Sequence, residues 1–139
     1  MNFFKEVLRQ NPNKSFDNDK VVQTVAALSD CTASCNACAD ACLQEESVKE
    51  LARCIRMLMS CKSVCQATAD VISRPGGSDM NFLESQLQGC VSMCKSCADE
   101  CRQHAQKHEH CRACADACQS CMETCQDLMQ SISTVSVAI

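Results

Sequence analysis

Phe3, Phe4, Val7 and Leu8 open the chain on a short amphipathic pattern that predicts a helical hook. Beyond it, apolar and small residues recur at helical spacing over four long stretches, interrupted strongly only by Pro12 and by the run Arg74-Pro75-Gly76-Gly77-Ser78. Asp17 to Asp19 offer an N-cap for a long helix reaching about Gln44. Ser47, with Glu50 three residues on, carries the capping-box pattern for a second helix running to about Ser73. Ser78 or Asp79 can cap a third helix from about Asn81 to Gln106. A polar, histidine-bearing joint follows, and a fourth helix runs from about Glu109 to Ser133. Four long helices with short joints predict an all-α fold, an antiparallel up-down-up-down four-helix bundle with a short N-terminal helix. Residues 1–18 then form the N-terminal segment and linker, and residues 19–139 the bundle.

The long helices are related in pairs. CTASCNACADAC (31–42) is echoed by CVSMCKSCADEC (90–101) with identical cysteine spacing. In the partner helices Cys54, Cys61 and Cys65 correspond to Cys114, Cys121 and Cys125. At the same offset Cys111 and Cys118 fall opposite Leu51 and Leu58. Leucine in one hairpin where the other has cysteine marks these as core positions.

That pattern changes the meaning of the composition. Sixteen of the 139 residues are cysteine, while glycine and proline number 3 and 2, unlike a loop-rich disulfide miniprotein. At about 100° per residue, Cys31, Cys35, Cys38 and Cys42 share an arc of about 60°, as do Cys90, Cys94, Cys97 and Cys101. Cys54, Cys61 and Cys65 fall within about 40°, and Cys111, Cys114, Cys118, Cys121 and Cys125 within about 80°. All sixteen project from the inward stripes of their helices. Cysteine serves as a small buried hydrophobe at one or two positions; sixteen in register on every helix need another reason, since alanine or leucine would pack without risk of oxidation.

The opening MNFFKEVLRQNPNK has neither the apolar core nor the small-residue cleavage site of a secretory signal, and predicts a cytoplasmic protein with reduced thiols. A net charge of -4 leaves no footprint for nucleic acid, and no run is apolar enough to span a membrane. Soft thiolates select Cu(I), zinc or iron–sulfur clusters. Each Cu(I) that replaces one thiol proton leaves the charge of the core unchanged, whereas zinc in a four-thiolate site leaves -2 in a low-dielectric interior. Iron–sulfur ligands in ferredoxins sit on wrapping loops, not on uninterrupted helices. Charge balance therefore favours multiple Cu(I) ions per chain. A zinc or general thiophilic-metal sink, a thiol redox buffer or sensor, and an inert helical module are the rivals. No general base or nucleotide loop points to an enzyme.

These residues resemble the four-helix-bundle copper storage proteins of bacteria. The likeness covers residues 19 to 133 and rests on the paired C-x3-C-x2-C-x3-C helices, the stretch CRQHAQKHEHC (101–111) and the following CRACADACQSCMETC (111–125). It implies a cytosolic homotetramer that loads its core with Cu(I), with histidines at one mouth helping copper in. On the sequence, His104 lies one turn beyond Cys101, and His108 and His110 precede Cys111. In an up-down-up-down bundle all sixteen cysteines crowd toward that end. The opposite end receives Val21, Val25, Leu28, Val71, Ile72, Leu83, Leu87, Leu128, Met129 and Ile132, a dry apolar plug.

Overall fold

The computed structural model describes residues 1–13, 17–76 and 79–138, with side chains described as far as Ile132. It contains α1 (Asn2–Arg9), α2 (Asn18–Gln44), a single 3-10 turn (Val48–Leu51), α3 (Ala52–Ile72), α4 (Met80–Gln103) and α5 (Glu109–Ala138). Helices α2 and α4 each pack against both α3 and α5, which closes a four-membered ring, while α1 lies against α2. Leu8 anchors α1 in the core, and Lys5 reaches Asp19 of α2 at 3.0 Å. None of the described helices is long and apolar enough to cross a membrane.

Helices α2 and α4 begin where the chain supplies a carboxylate. Asp17 accepts from the backbone N–H groups of Asp19 and Lys20 at 2.9 and 3.3 Å. Asp79 does the same for Asn81 and Phe82 at 2.9 and 3.2 Å, so Asp79 caps α4, and the alternative cap Ser78 lies outside the described residues. Each satisfies amides that have no partner within the helix and places negative charge at the positive end of the helix dipole.

Three boundaries differ from expectation. Ser47 makes no side-chain cap: at φ -86°, ψ 28° it lacks the extended N-cap backbone, and the chain passes through the 3-10 turn before α3. Its hydroxyl lies instead 3.4 Å from His108 Nε2. Helix α4 ends at Gln103, three residues before the expected Gln106, because the backbone tightens there: the amides of His104 and Ala105 donate to the carbonyls of Cys101 and Arg102 at 3.1 and 3.3 Å. Helix α5 runs beyond Ser133 to Ala138, along a stretch with no glycine or proline to stop it.

The interior is layered along its axis. At one end Val21, Val25, Leu28, Ile72, Leu83, Leu87, Leu128 and Ile132 are buried, with Val71 and Met129 partly buried against them. Thr24 and Thr68 are buried in the helix sides, each hydroxyl donating to the carbonyl one turn back at 2.7 Å, and Gln86 donates to Thr68 at 2.9 Å. Sulfur dominates the rest of the core, with small alanines and a few aliphatic side chains between the cysteines. Leu51 and Leu58 are fully enclosed, confirming that the cysteines opposite them in the duplication hold core positions.

Candidate metal centre

All sixteen cysteines are free and buried. Their placement follows from the stripes: an i, i+4 pair on one helix brings Cys31 and Cys35 sulfurs to 4.0 Å and Cys61 and Cys65 to 3.9 Å. Neighbouring helices bring further sulfurs between them, Cys65 to Cys94 at 3.6 Å, Cys31 to Cys118 at 3.8 Å and Cys35 to Cys114 at 3.8 Å. A disulfide holds its sulfurs at about 2.05 Å, so these are contacts and not bonds. Metal–sulfur bonds of about 2.3 Å separate the ligands by about 3.8 Å in tetrahedral and about 4.0 Å in trigonal coordination, against about 4.6 Å in a linear pair. The sulfurs therefore stand at spacings that suit three or four ligands around one ion without rebuilding the backbone.

Among the described residues four compact groups contain sulfur, each with ligand atoms within 4.8 Å of one another. Cys31, Cys35, Cys61 and Cys118 form one, and Cys31, Cys65, Cys94 and Cys121 a second. Cys90, Cys121 and Cys125 form a third next to the apolar end. Cys31 and Cys121 each belong to two groups, the arrangement a bridging thiolate requires. Cys38, Cys42 and Cys111 gather with His110 near the joint between α4 and α5. The remaining thiols, Cys54, Cys97, Cys101 and Cys114, are equally buried, and Cys114 joins the network through Cys35.

Proton affinities are uneven across this network. A sulfur that receives hydrogen bonds from its neighbours is favoured as thiolate, and the donors are held as thiols. Cys31, Cys90, Cys97 and Cys114 are pushed down, chiefly by hydrogen bonding with Cys118, Cys121, Cys101 and Cys101 respectively. Cys61 is lowered to about 7, chiefly by the bond from Cys118. Cys118 and Cys65 are pushed strongly up, chiefly as donors toward Cys114 and Cys121. Burial raises Cys42, and it raises Cys111 to about 12. The raised thiols stay protonated in the metal-free core, and a thiophilic ion must displace those protons.

The histidines separate. His104 caps the C-terminus of α4 and turns back to Glu100, Nε2 to Oε2 at 2.9 Å, and it belongs to none of the compact ligand groups among the described residues. Glu100 is buried and also accepts from Arg53 of α3 at 2.8 Å, a bridge across the α3–α4 seam. His108 and His110 lie together with ring centroids 5.4 Å apart, and Glu45 completes a group with them. No motif along the chain marks Glu45, Arg53 or Glu100, and Ser47 is marked only as a helix cap. Glu45 stands seven residues after Cys38, two helical turns along the same stripe, a signal available in the spacing. Of the sixteen cysteines, Cys38 and Cys114 alone retain any solvent exposure, at 3% and 2%. They lie beneath a groove between α2 and α5 lined by Ser34, Ala37, Ala41, Ala113 and His110, whose small side chains leave the sulfurs under-covered.

A helical bundle whose interior is a shared array of reduced sulfurs is a multi-site thiolate metal binder. The copper storage protein family (Csp) matches residues 17–130, and the chain belongs to that family. Among solved structures it is similar to the copper storage protein Ccsp from Streptomyces lividans loaded with 10 copper equivalents, at 43% identity and a TM-score of 0.89, covering 92% of this chain and 98% of that one. It is also similar to the Cu(I)-bound copper storage protein BsCsp3, at 30% identity and a TM-score of 0.70, over 78% of this chain and 97% of that one. The cysteine-rich protein YhjQ of Bacillus subtilis (strain 168) is 33% identical over 91 residues, 66% of this chain and 79% of that protein.

Proposed function

We propose that this chain stores multiple Cu(I) ions in the cytosol, with all sixteen cysteines as ligands and no catalytic role. The observation that carries the reading is the buried sulfur array, spaced 3.6–4.0 Å between contacting sulfurs and open to solvent only at Cys38 and Cys114. Cu(I) is the ion whose charge this interior tolerates in number, because one monovalent ion replaces one thiol proton. Several zinc tetrathiolates would each bury an uncompensated -2. The bridging positions of Cys31 and Cys121 support clusters over isolated sites. The cytosolic assignment is supported by a similar protein of Streptomyces lividans described as a cytosolic copper storage protein.

Copper reaches the array from the histidine end. His110 stands over the thiols there with His108 beside it, while His104, paired with Glu100, acts by bracing the end of α4. The groove over Cys38 and Cys114 places the first accessible sulfurs beside His110 rather than on the bundle axis. From those sulfurs copper moves inward by exchange between neighbouring thiolates. Self-association into a homotetramer accompanies this role, supported by the large apolar side chains Phe3, Val7, Leu43, Met59 and Phe82 that the single chain leaves exposed. Anaerobic titration of the reduced protein with Cu(I) against a competing chelator, counting thiols and metal separately, tests the reading. Loading near or above one ion per cysteine is expected. Zinc uptake at about one ion per four cysteines with similar retention would point to the general sink.

A further inference from the structure

Glu45 is the first residue beyond α2, and its carboxylate lies between the two mouth histidines. Oε1 is 3.3 Å from His110 Nε2, and Oε2 is 3.5 Å from His108 Nδ1. The opposite edge of the His110 ring faces sulfur: Nδ1 is 3.4 Å from Cys38 Sγ and 3.6 Å from Cys111 Sγ. The two nitrogens of a neutral imidazole differ, one carrying a proton and the other a lone pair, and an ionised carboxylate accepts hydrogen bonds only. The proton that bonds to Glu45 therefore sits on Nε2. The lone pair sits on Nδ1, aimed at the thiols.

We infer that Glu45 is a positioning residue that holds His110 in the Nε2–H tautomer and so makes Nδ1 a ligand of an outermost cuprous site completed by Cys38, Cys42 and Cys111. The inference rests on the Cu(I) reading above and deepens it. The spacing fits: bonds of about 2.0 Å to nitrogen and about 2.3 Å to sulfur separate the two ligands by about 3.5 Å in tetrahedral and about 3.7 Å in trigonal coordination. A carboxylate behind a ligating imidazole, fixing its tautomer and raising its basicity, is the outer-shell arrangement that metal-bound histidines use widely. Chemically the site differs from the inner groups, which are sulfur alone. A neutral nitrogen adds a ligand without adding charge, and Glu45 itself is 36% exposed, so its charge remains solvated. His108 plays a different part, since Ser47 Oγ stands 3.4 Å from its Nε2 and Glu45 from its Nδ1, leaving no nitrogen facing sulfur. Of the two histidines that Glu45 holds, His110 alone turns its second nitrogen to sulfur and is the one that binds the ion.

Glu45→Ala and Glu45→Gln separate this role from a structural one, because glutamine keeps a carbonyl acceptor where alanine has none. Nitrogen-15 NMR of the imidazoles in the metal-free protein, on the alkaline side of their titration, reads the tautomer directly. Wild type and Glu45→Gln are expected to show His110 protonated at Nε2, and Glu45→Ala a mixture. In stopped-flow Cu(I) uptake the first phase of Glu45→Ala is expected to slow about tenfold, with Glu45→Gln near wild type and total capacity within one ion. X-ray absorption of the loaded protein should lose its copper–nitrogen component in Glu45→Ala. A wild type with His110 protonated at Nδ1, or a Glu45→Ala protein matching wild type in tautomer and uptake, overturns the assignment alone. A wild type that takes up no Cu(I) overturns the storage reading beneath it.

Discussion

The two ends of the bundle are built from the same helices in the same register, yet they are held together differently. At the apolar end most inward positions carry a branched side chain; Leu28 and Leu87 are fully enclosed and precede the first sulfurs of their helices, and Val21, Ile72, Leu83 and Ile132 close the cap. At the thiol end most inward positions carry cysteine, a smaller side chain whose partners are largely other sulfurs, with Leu51 and Leu58 the large aliphatic exceptions. Burial of a large aliphatic side chain contributes about 1.5–3 kcal/mol, so the apolar end supplies stability in the absence of metal. The thiol end contributes less until ions bind, after which metal–sulfur bonds tie all four helices. The difference teaches a division of labour: one end keeps the bundle folded while the other stays free to exchange protons for copper.

Substitutions in the apolar end should break the comparison most visibly. Leu28→Ala or Leu87→Ala is expected to cost the metal-free protein about 2–5 kcal/mol by lost burial and cavity formation, measured by urea unfolding under reducing conditions. Copper loading should recover part of that loss, since ions bind the folded state. A loss below 1 kcal/mol would show that the apolar end is not the scaffold.

Proton competition sharpens the other half. The Cys111 thiol, raised to about 12 by burial, is protonated throughout the neutral range and must surrender its proton to a metal ion. Its copper retention therefore strengthens as pH rises toward about 12 and weakens as pH falls. Cys61, lowered to about 7 by the hydrogen bond from Cys118, competes with protons only below about that pH. Each displaced proton makes retention change about tenfold, or about 1.4 kcal/mol, per pH unit. Chelator competition from pH 6 to 9 checks this, and a flat response would contradict proton-for-copper exchange.

Within the thiol end, Cys31→Ala removes a sulfur shared by two groups, and Cys125→Ala one that belongs to a single group beside the apolar end. The first should lower Cu(I) capacity more than the second. Both should cost the metal-free protein only about 1 kcal/mol, because little apolar volume is lost. The smallest equilibrium effect belongs to the mouth. Replacing His104, His108 and His110 with alanine should slow Cu(I) uptake while capacity falls by no more than about one ion in the whole store, since the cysteines remain. Uptake at the wild-type rate would place the way in elsewhere.

The main features of both ends were legible along the chain, because a helix converts spacing into direction. The phased cysteines and the leucines opposite them identified core positions, and Asp17 and Asp79 marked helix starts by a local rule. Ser47 satisfied the same kind of local rule and did not obey it. Its backbone is not extended, and its hydroxyl lies against His108, sixty-one residues away in sequence. His104 stood on the cysteine stripe by count, but α4 ends one residue before it and its ring turns to Glu100.

The sequence by itself therefore determined the helices, their inward faces, the segregation of sulfur from aliphatic side chains, and the kind of ion those sulfurs prefer. These follow from periodicity and ligand softness, which need no knowledge of neighbours. Tertiary structure alone decided which sulfurs share a group, that Cys31 and Cys121 bridge two, and that Cys38 and Cys114 meet solvent through the α2–α5 groove. It also divided three clustered histidines into one braced by Glu100 and two gathered around Glu45. Such pairings depend on how far each helix advances past its neighbour and where each joint turns, and a shift of one turn, about 5.4 Å, exchanges every partner.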